Sequence, residues 1–294
     1  MLIRRHPIDI IQLIPKRIKE SHKGTYGRLL VMAGSTKYTG AASLMVEAAL
    51  RSGVGIVYAV ATHDTAQVIR NRNPEAVVIE APEQDGGFDK KVVGVIHDAI
   101  KEFRIDAIGI GPGIGPLKAS HDIYHGIVNI LKESQLPTLV DADALSPIYQ
   151  AESMALLAPN QIVFTPHPKE FLRMTRKDDV IDENKDVLTA CKDVKQVIAY
   201  KTNTSIVVSE EGIWRSTTGN ESLATAGSGD VLSGIISGFL AQGVASLDAA
   251  KLGVYLHGLV AEIASQEFGL RSLIASDLCD YIAKGFQEMA QYHG

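Results

Sequence analysis

Cysteine is scarce in this chain: 294 residues contain two, Cys191 and Cys279. No Cys-x-x-Cys occurs, which argues against a zinc ribbon and a redox pair. Both cysteines fall in helix-like patterns and are expected as small core residues. Long apolar runs are missing too. No window reaches 18 apolar residues, so no membrane-spanning helix is expected. Charges at Arg4, Arg5 and Asp9 and prolines at Pro7 and Pro15 interrupt any N-terminal signal core, and the expected location is cytoplasmic. Basic charge is not in excess. The net charge of −5 gives no general attraction to nucleic acid or an anionic membrane, so neither is an expected partner. Any phosphate must be held by a local site. There is no Pro/Ser-rich linker, no repeat and no low-complexity stretch, so residues 1–294 are expected to form one domain.

Two familiar phosphate motifs are also absent. No glycine is followed by lysine, which rules out a P-loop. Gly109-Ile-Gly111-Pro-Gly113-Ile-Gly115 is rich in glycine but lacks the Gly-x-Gly-x-x-Gly spacing of the dinucleotide fingerprint. Pro112 and Pro116 stop a helix from starting there. The segment reads as a rigid turn after a strand, and strand ends are where parallel sheets bind ligands.

The chain is 46% hydrophobic, enough for a sizeable core. Short runs apolar on both faces recur at Leu29–Ala33, Gly55–Val60, Ala76–Ile79, Ala107–Ile110, Thr138–Val140, Ile162–Thr165, Val197–Ala199 and Ser205–Ser209. A helical pattern over Ala41–Ser52 separates the first two. Such runs point to an α/β fold with a mostly parallel sheet covered on both sides. The last third reads as helices over Asp230–Ala241, Leu247–Gln266 and Ser276–Gln291. Asp85-Gly86-Gly87 reads as a surface turn.

Ala226-Gly227-Ser228-Gly229-Asp230 is the most informative stretch. Two glycines let backbone approach a ligand, and a helix follows. The unpaired N–H groups at such a helix start form an anion site at the positive end of its dipole. Asp230 at its mouth serves either as a helix cap or as a proton acceptor beside a transferring group. Other strand ends carry polar clusters. Gly34 to Ala42 is small and polar. Asp141 and Asp143 either sit near a magnesium ion or cap the next helix. In Thr165-Pro-His-Pro-Lys-Glu170, two prolines fix the direction of His167, while Glu170 suits a cap or a water-mediated metal contact. Lys201-Thr202-Asn203-Thr204-Ser205 suits phosphate or ribose as well as an ordinary turn. His121 and His125 lack a zinc-protease context and read as a solvated helix face.

In this order, Ser21–Gly27, Ala33-Gly-Ser35, Gly111-Pro-Gly113, Asp141-Ala-Asp-Ala-Leu145, Thr165–Glu170, Lys201, Gly219-Asn220 and Gly227-Ser-Gly-Asp230 resemble the ribokinase-like superfamily. Within it they look most like the ADP/ATP-dependent (S)-NAD(P)H-hydrate dehydratases. The resemblance implies a three-layer sandwich and a nucleotide-repair lyase acting on the hydrates of NADH and NADPH with ADP or ATP and Mg²⁺. It implies that Ala41, Gly113, His167 and Asp230 line the hydrated nicotinamide nucleotide, with Asp230 as catalytic base. Lys201, Thr202, Asn203, Thr204, Ser205, Gly227, Ser228 and Gly229 would bind the adenine nucleotide, the last three as anion hole. It further implies a homotetramer and a partner hydrate epimerase, often fused in the family and expected here as a separate protein. Two departures stand out: the family usually has Gly where this chain has Thr202, and often Gly-Gly-Thr-Gly-Asp where it has Ala226-Gly-Ser-Gly-Asp230. The alternatives are a ribokinase-like kinase of a vitamin-type alcohol such as a hydroxyethylthiazole, and a non-catalytic nucleotide sensor.

Overall fold

The computed structural model describes residues 8–115, 120–151, 154, 156–179 and 182–291. Arg4, Arg5, Pro7 and Pro116 lie outside them.

Alternating β and helical segments follow the chain. The first is a short helix α1 (Ile8–Ile11), then strand β1 (Arg28–Met32), helix α2 (Thr39–Arg51), β2 (Ile56–Ala61), α3 (His63–Arg72) and β3 (Val77–Glu80). A small hairpin β4 (Glu83–Gln84) and β5 (Gly87–Phe88) turns at Asp85 and Gly86, both at positive φ, where the surface turn was expected. Next come α4 (Val92–Phe103), β6 (Ala107–Ile110), α5 (Ser120–Ser134), β7 (Thr138–Val140), α6 (Leu145–Tyr149), β8 (Ile162–Phe164), α7 (Pro168–Thr175), α8 (Glu183–Val194) and β9 (Val197–Tyr200). The chain closes with β10 (Ile206–Ser209), β11 (Gly212–Arg215), α9 (Ser228–Ala241), α10 (Ser246–Ser272) and α11 (Ala275–Ala290).

Nine strands form one sheet in the order β11-β10-β9-β8-β7-β6-β1-β2-β3. From β3 to β9 every pairing is parallel; β10 pairs antiparallel with β9 and with β11. The strand expectations hold to within a residue or so at their ends. Edge strand β11 went unread because its alternating burial, with Ile213 partly exposed, breaks the run of apolar residues that marked the others.

Period-two alternation divides the core. Leu29 and Val31 face one layer, with α2, α9, α10 and α11. Leu30 and Met32 face the other, with α4, α5, α7 and α8. Cys191 in α8 and Cys279 in α11 are buried free thiols, one in each layer, and burial pushes both up to about 12. No thiolate is available there. His121 and His125 stack on the exposed face of α5, as expected.

Helix α10 runs past Gln266 to Ser272 but breaks at Gly269, whose φ of 74° and ψ of 166° are not helical, within the break that the sequence predicts around Gly269–Leu273. Glycine alone tolerates that kink cheaply.

The reversal of strand order puts β1 between β6 and β2, so the loops after β1 and β6 meet. Gly34 N–H donates to Pro112 O at 2.7 Å, and Ser35 Oγ donates to Gly113 O at 2.8 Å. The glycine-rich run is therefore a fixed turn, as read. Gly111 sits at φ 131°, and a Cβ there would lie 1.8 Å from the carbonyl oxygen of Asp141. Gly111→Ala is expected to cost about 1–3 kcal/mol from backbone strain alone, and more once Asp141 is displaced. Urea unfolding checks this, and an unchanged midpoint would show that the turn yields freely.

Candidate active site

The site lies at the carboxyl ends of the parallel strands. There β7 delivers Asp141, the turn after β8 delivers His167, and the end of β9 delivers Lys201. Helix α9 points its first turn into the same region.

That first turn departs from the expected one. The helix begins at Ser228, with Gly227 as N-cap in the left-handed region at φ 89°, so Asp230 is the third helical residue and no cap. Gly227 takes the cap because the turn needs positive φ, which an L residue resists. The expected anion hole changes with it. Ser228 N–H donates to Thr225 O at 3.3 Å, and Val231 N–H to Gly227 O at 3.1 Å. Among the described residues, the N–H groups of Gly227, Gly229 and Asp230 are left without a backbone partner. Gly229 and Asp230 within the helix, and Gly227 just before it, but not Ser228, are the free donors at the dipole's positive end.

Charge is concentrated beneath the turn. Lys201 Nζ lies 2.7 Å from Asp141 Oδ1 and 3.7 Å from Glu170 Oε2. Asp141 Oδ2 accepts from Ser233 Oγ at 2.7 Å, which ties the end of β7 to the second turn of α9. Asp143 accepts from Gly115 N–H at 2.8 Å. Neither aspartate caps a helix with its side chain, so of the two expected readings the cap is not what forms. Burial alone would lower the pKa of Lys201, but Asp141, and then Glu170, outweigh it and hold the ammonium charged.

Asp230 is half-buried and titrates in this field. Its pKa is pushed up to about 7, first by burial, then by the Asp141 carboxylate, against the pull of Lys201. A carboxylate so placed accepts a proton near neutrality.

His167 caps α7. Its Nδ1 accepts from Lys169 N–H at 3.1 Å and Glu170 N–H at 3.3 Å, while Glu170 Oε2 accepts from His167 N–H at 2.8 Å. Since Nδ1 is an acceptor, the ring's remaining nitrogen, Nε2, is the one that carries the proton. It lies 3.5 Å from Glu170 Oε1. The capping box thus explains Pro168, which occupies the first helical position and fixes the cap, while Pro166 O accepts from Lys201 N–H at 2.9 Å.

A cavity of about 960 Å³ opens beside the turn. Its walls include His167, the whole segment Lys201 to Ser205, Ser228 and Gly229. Thr218, Gly219, His257 and Gly258 form another wall. Gly227, Asp230, Ala41 and Gly113 are not among its lining residues. Ala41 and Gly113 instead meet each other: a Cβ on Gly113 would lie 2.8 Å from Ala41 Cβ. The first turn of α9 thus has Gly229 on the cavity and Asp230 one residue on. The sequence signalled His167, Lys201 to Ser205, Gly219, Ser228 and Gly229, but neither Gly258 nor His257, which is hidden in the apolar helix pattern of Leu256-His257-Gly258. No sequence cue separated it from a core residue. Asn220 also lines the cavity; it caps the short turn Glu221–Leu223 and reaches Ser265 Oγ at 2.8 Å, so it holds that wall in place.

Comparison with known proteins agrees with the fold. The fold is that of the ribokinase-like proteins: one from Enterococcus faecalis superposes with a TM-score of 0.83 at 24% identity, covering 97% of this chain and 96% of its own. The family is narrower. The NAD(P)H-hydrate dehydratase model matches residues 29–284, and the chain belongs to that family. The ADP-dependent (S)-NAD(P)H-hydrate dehydratase of Neisseria meningitidis is 32% identical over 89% of this chain and 86% of its own. The ADP/ATP-dependent NAD(P)H-hydrate dehydratase of Bacillus subtilis, co-crystallised with ATP/Mg²⁺, is 32% identical with a TM-score of 0.79, covering 95% of this chain and 96% of its own. The chain spans about half the length of the bifunctional NAD(P)H-hydrate repair enzymes that it also matches.

Proposed function

We propose that the protein is a lyase that repairs hydrated NADH and NADPH, using ADP or ATP as phosphoryl donor. One observation carries the reading. A carboxylate with a pKa of about 7 adjoins the free N–H groups of a helix start, which borders a nucleotide-sized cavity.

The chemistry requires such a pairing. Hydroxide is a poor leaving group from C6 of the hydrated ring; phosphate is a good one. The C6 hydroxyl attacks the terminal phosphorus, loses its proton to Asp230 and breaks the phosphoanhydride bond, releasing AMP from ADP or ADP from ATP. The ring-nitrogen lone pair then expels phosphate, and loss of the C5 proton restores the C5–C6 double bond. In-line placement and neutralisation of developing charge are the protein's main tasks. The amides of Gly229 and Asp230 supply the second.

In this reading the nucleotide occupies the cavity against Lys201 to Ser205 and Gly229, while the hydrate lies by Ala41 and Gly113 and faces Asp230. His167 presents its Nε2 side at the border. The charge of Lys201 is already held by Asp141 and Glu170, so it shapes the field rather than binding phosphate alone. Among the described residues no group of three metal-ligating side chains forms, and Glu170 is committed to His167 and Lys201. Magnesium would therefore enter with the nucleotide and neutralise charge on its phosphates. The working unit is one domain, assembled as a homotetramer and supplied with the S hydrate by an epimerase.

Mixing the protein with Mg²⁺, ADP or ATP and NADH hydrate, and following absorbance of regenerated NADH, tests the reading. No regeneration with either nucleotide would sink it, and a stable phosphorylated alcohol from a vitamin panel would favour a kinase. The pH dependence is fixed in sign. Asp230 must be unprotonated to accept the hydroxyl proton, so kcat/KM is expected to fall about tenfold per unit below pH 7 and to level off above it. A profile flat from pH 5 to 8 would exclude Asp230 as the base.

A further inference from the structure

We infer that His257 is a positioning residue that aims the Ser228 hydroxyl at the phosphates of the bound nucleotide. The inference rests on the nucleotide-binding half of the proposed function.

His257 lies in α10 among Leu256, Leu259 and Val260, is 7% exposed, and lines the cavity. An imidazole in that apolar setting needs a polar partner. It has one: Nε2 is 3.2 Å from Ser228 Oγ. Ser228 is the first residue of α9, and its own N–H is taken by Thr225 O. What Ser228 offers a ligand is therefore its hydroxyl, beside the free amides of Gly229 and Asp230.

Burial, helped by the Lys201 charge and opposed by a hydrogen bond to the Ser228 backbone, holds His257 down to about 4, so the ring is neutral and carries one N–H. With that proton on Nε2, the ring donates to Ser228 Oγ. The hydroxyl proton is then free to point at an anion. Without the ring, a serine at a helix start readily turns its hydroxyl back to local backbone groups. His257 thus acts through Ser228 and need not touch the ligand.

A double-mutant cycle separates this from a structural role. Calorimetric binding of ADP and of adenosine is measured for wild type, Ser228→Ala, His257→Leu, His257→Gln and the Ser228→Ala/His257→Leu double variant. Each of Ser228→Ala and His257→Leu is expected to weaken ADP roughly 10- to 100-fold, the usual loss of a hydrogen bond to a charged group, and to leave adenosine unchanged. The double variant is expected to be no weaker than either single one. Glutamine keeps an N–H donor and is expected to restore most of the loss. A double variant weaker than both singles would show that the ring contacts the ligand itself and would overturn the proposal. So would an equal loss of adenosine and ADP affinity, the mark of a reshaped cavity. Should His257→Leu fail to fold, Ser228→Ala and His257→Gln decide: a loss confined to ADP in the first and near-normal binding in the second support the pair, and any other result overturns it. The cycle needs no turnover. A wild-type protein that follows this pattern but regenerates no NADH overturns the proposed reaction and leaves the pair standing.

Discussion

Asp230→Asn is expected to fold, bind adenine nucleotide and lose turnover by roughly 10²–10⁴-fold, the usual contribution of a placed general base. Asparagine keeps the shape of the first turn of α9 and leaves the backbone amides of positions 229 and 230 in place, but it accepts no proton. Stability supplies an independent check with a definite sign. The folded pKa of Asp230 is raised from 3.8 to about 7, first by burial and then by Asp141. Folding therefore takes up a proton between those values, and the Asp230 contribution to stability falls as pH rises through that window. Asparagine removes the effect. The variant is expected to match wild type near pH 4 and to be the more stable of the two at pH 8, by urea unfolding at both values. Near-normal NADH regeneration would remove Asp230 from the chemistry. A variant less stable at pH 8 would show that its carboxylate supports the helix more than its burial costs.

Lys201→Met is expected to destabilise the fold by about 3–5 kcal/mol, the range for removing one partner of a buried ion pair. The Asp141 side chain is 2% exposed and the Lys201 side chain 19%, with 2.7 Å between Nζ and Oδ1. Methionine fills the space of the lysine stem, so packing changes little. What remains is a buried carboxylate with, among the described residues, Ser233 alone for compensation. Lys201→Met/Asp141→Asn removes that stranded charge and is expected to recover most of the loss. Unfolding midpoints of the two singles and the double decide it. A single-variant cost under about 1 kcal/mol, the value of a surface pair, would mean that water reaches Asp141 and that the pair does not hold β7 to β9.

Much of the fold was legible from residues alone, for a physical reason. A strand buried on both faces must be apolar along its length, and β1, β6, β7 and β8 announce themselves that way. Edge strand β11 has one wet face and gave a weaker signal. Hydrophobic spacing puts the start of α9 at Asp230, two residues late, because it marks where a helix packs, whereas the cap is set by the backbone conformation of Gly227.

The chemistry divides along the same line. The order of motifs from Ser21 to Asp230 was sufficient to suggest the family, and the family model's match over residues 29–284 agrees. His167 and Glu170 were visible as a pair, but their mutual capping became evident only with the hydrogen bonds of α7 in place.

By itself the sequence determined that the chain builds a mostly parallel sheet covered on both sides, and that a glycine turn leads into a helix carrying a carboxylate near its start. These are local matters of side-chain polarity and backbone freedom, which neighbouring residues settle among themselves. Only the tertiary structure decided that Lys201 faces Asp141 across 60 positions of chain, that His257 reaches Ser228, and that Asp230 sits among like charges with its proton affinity raised. Distances between groups far apart in sequence set electrostatic energies, and packing sheet and helices together is what fixes those distances.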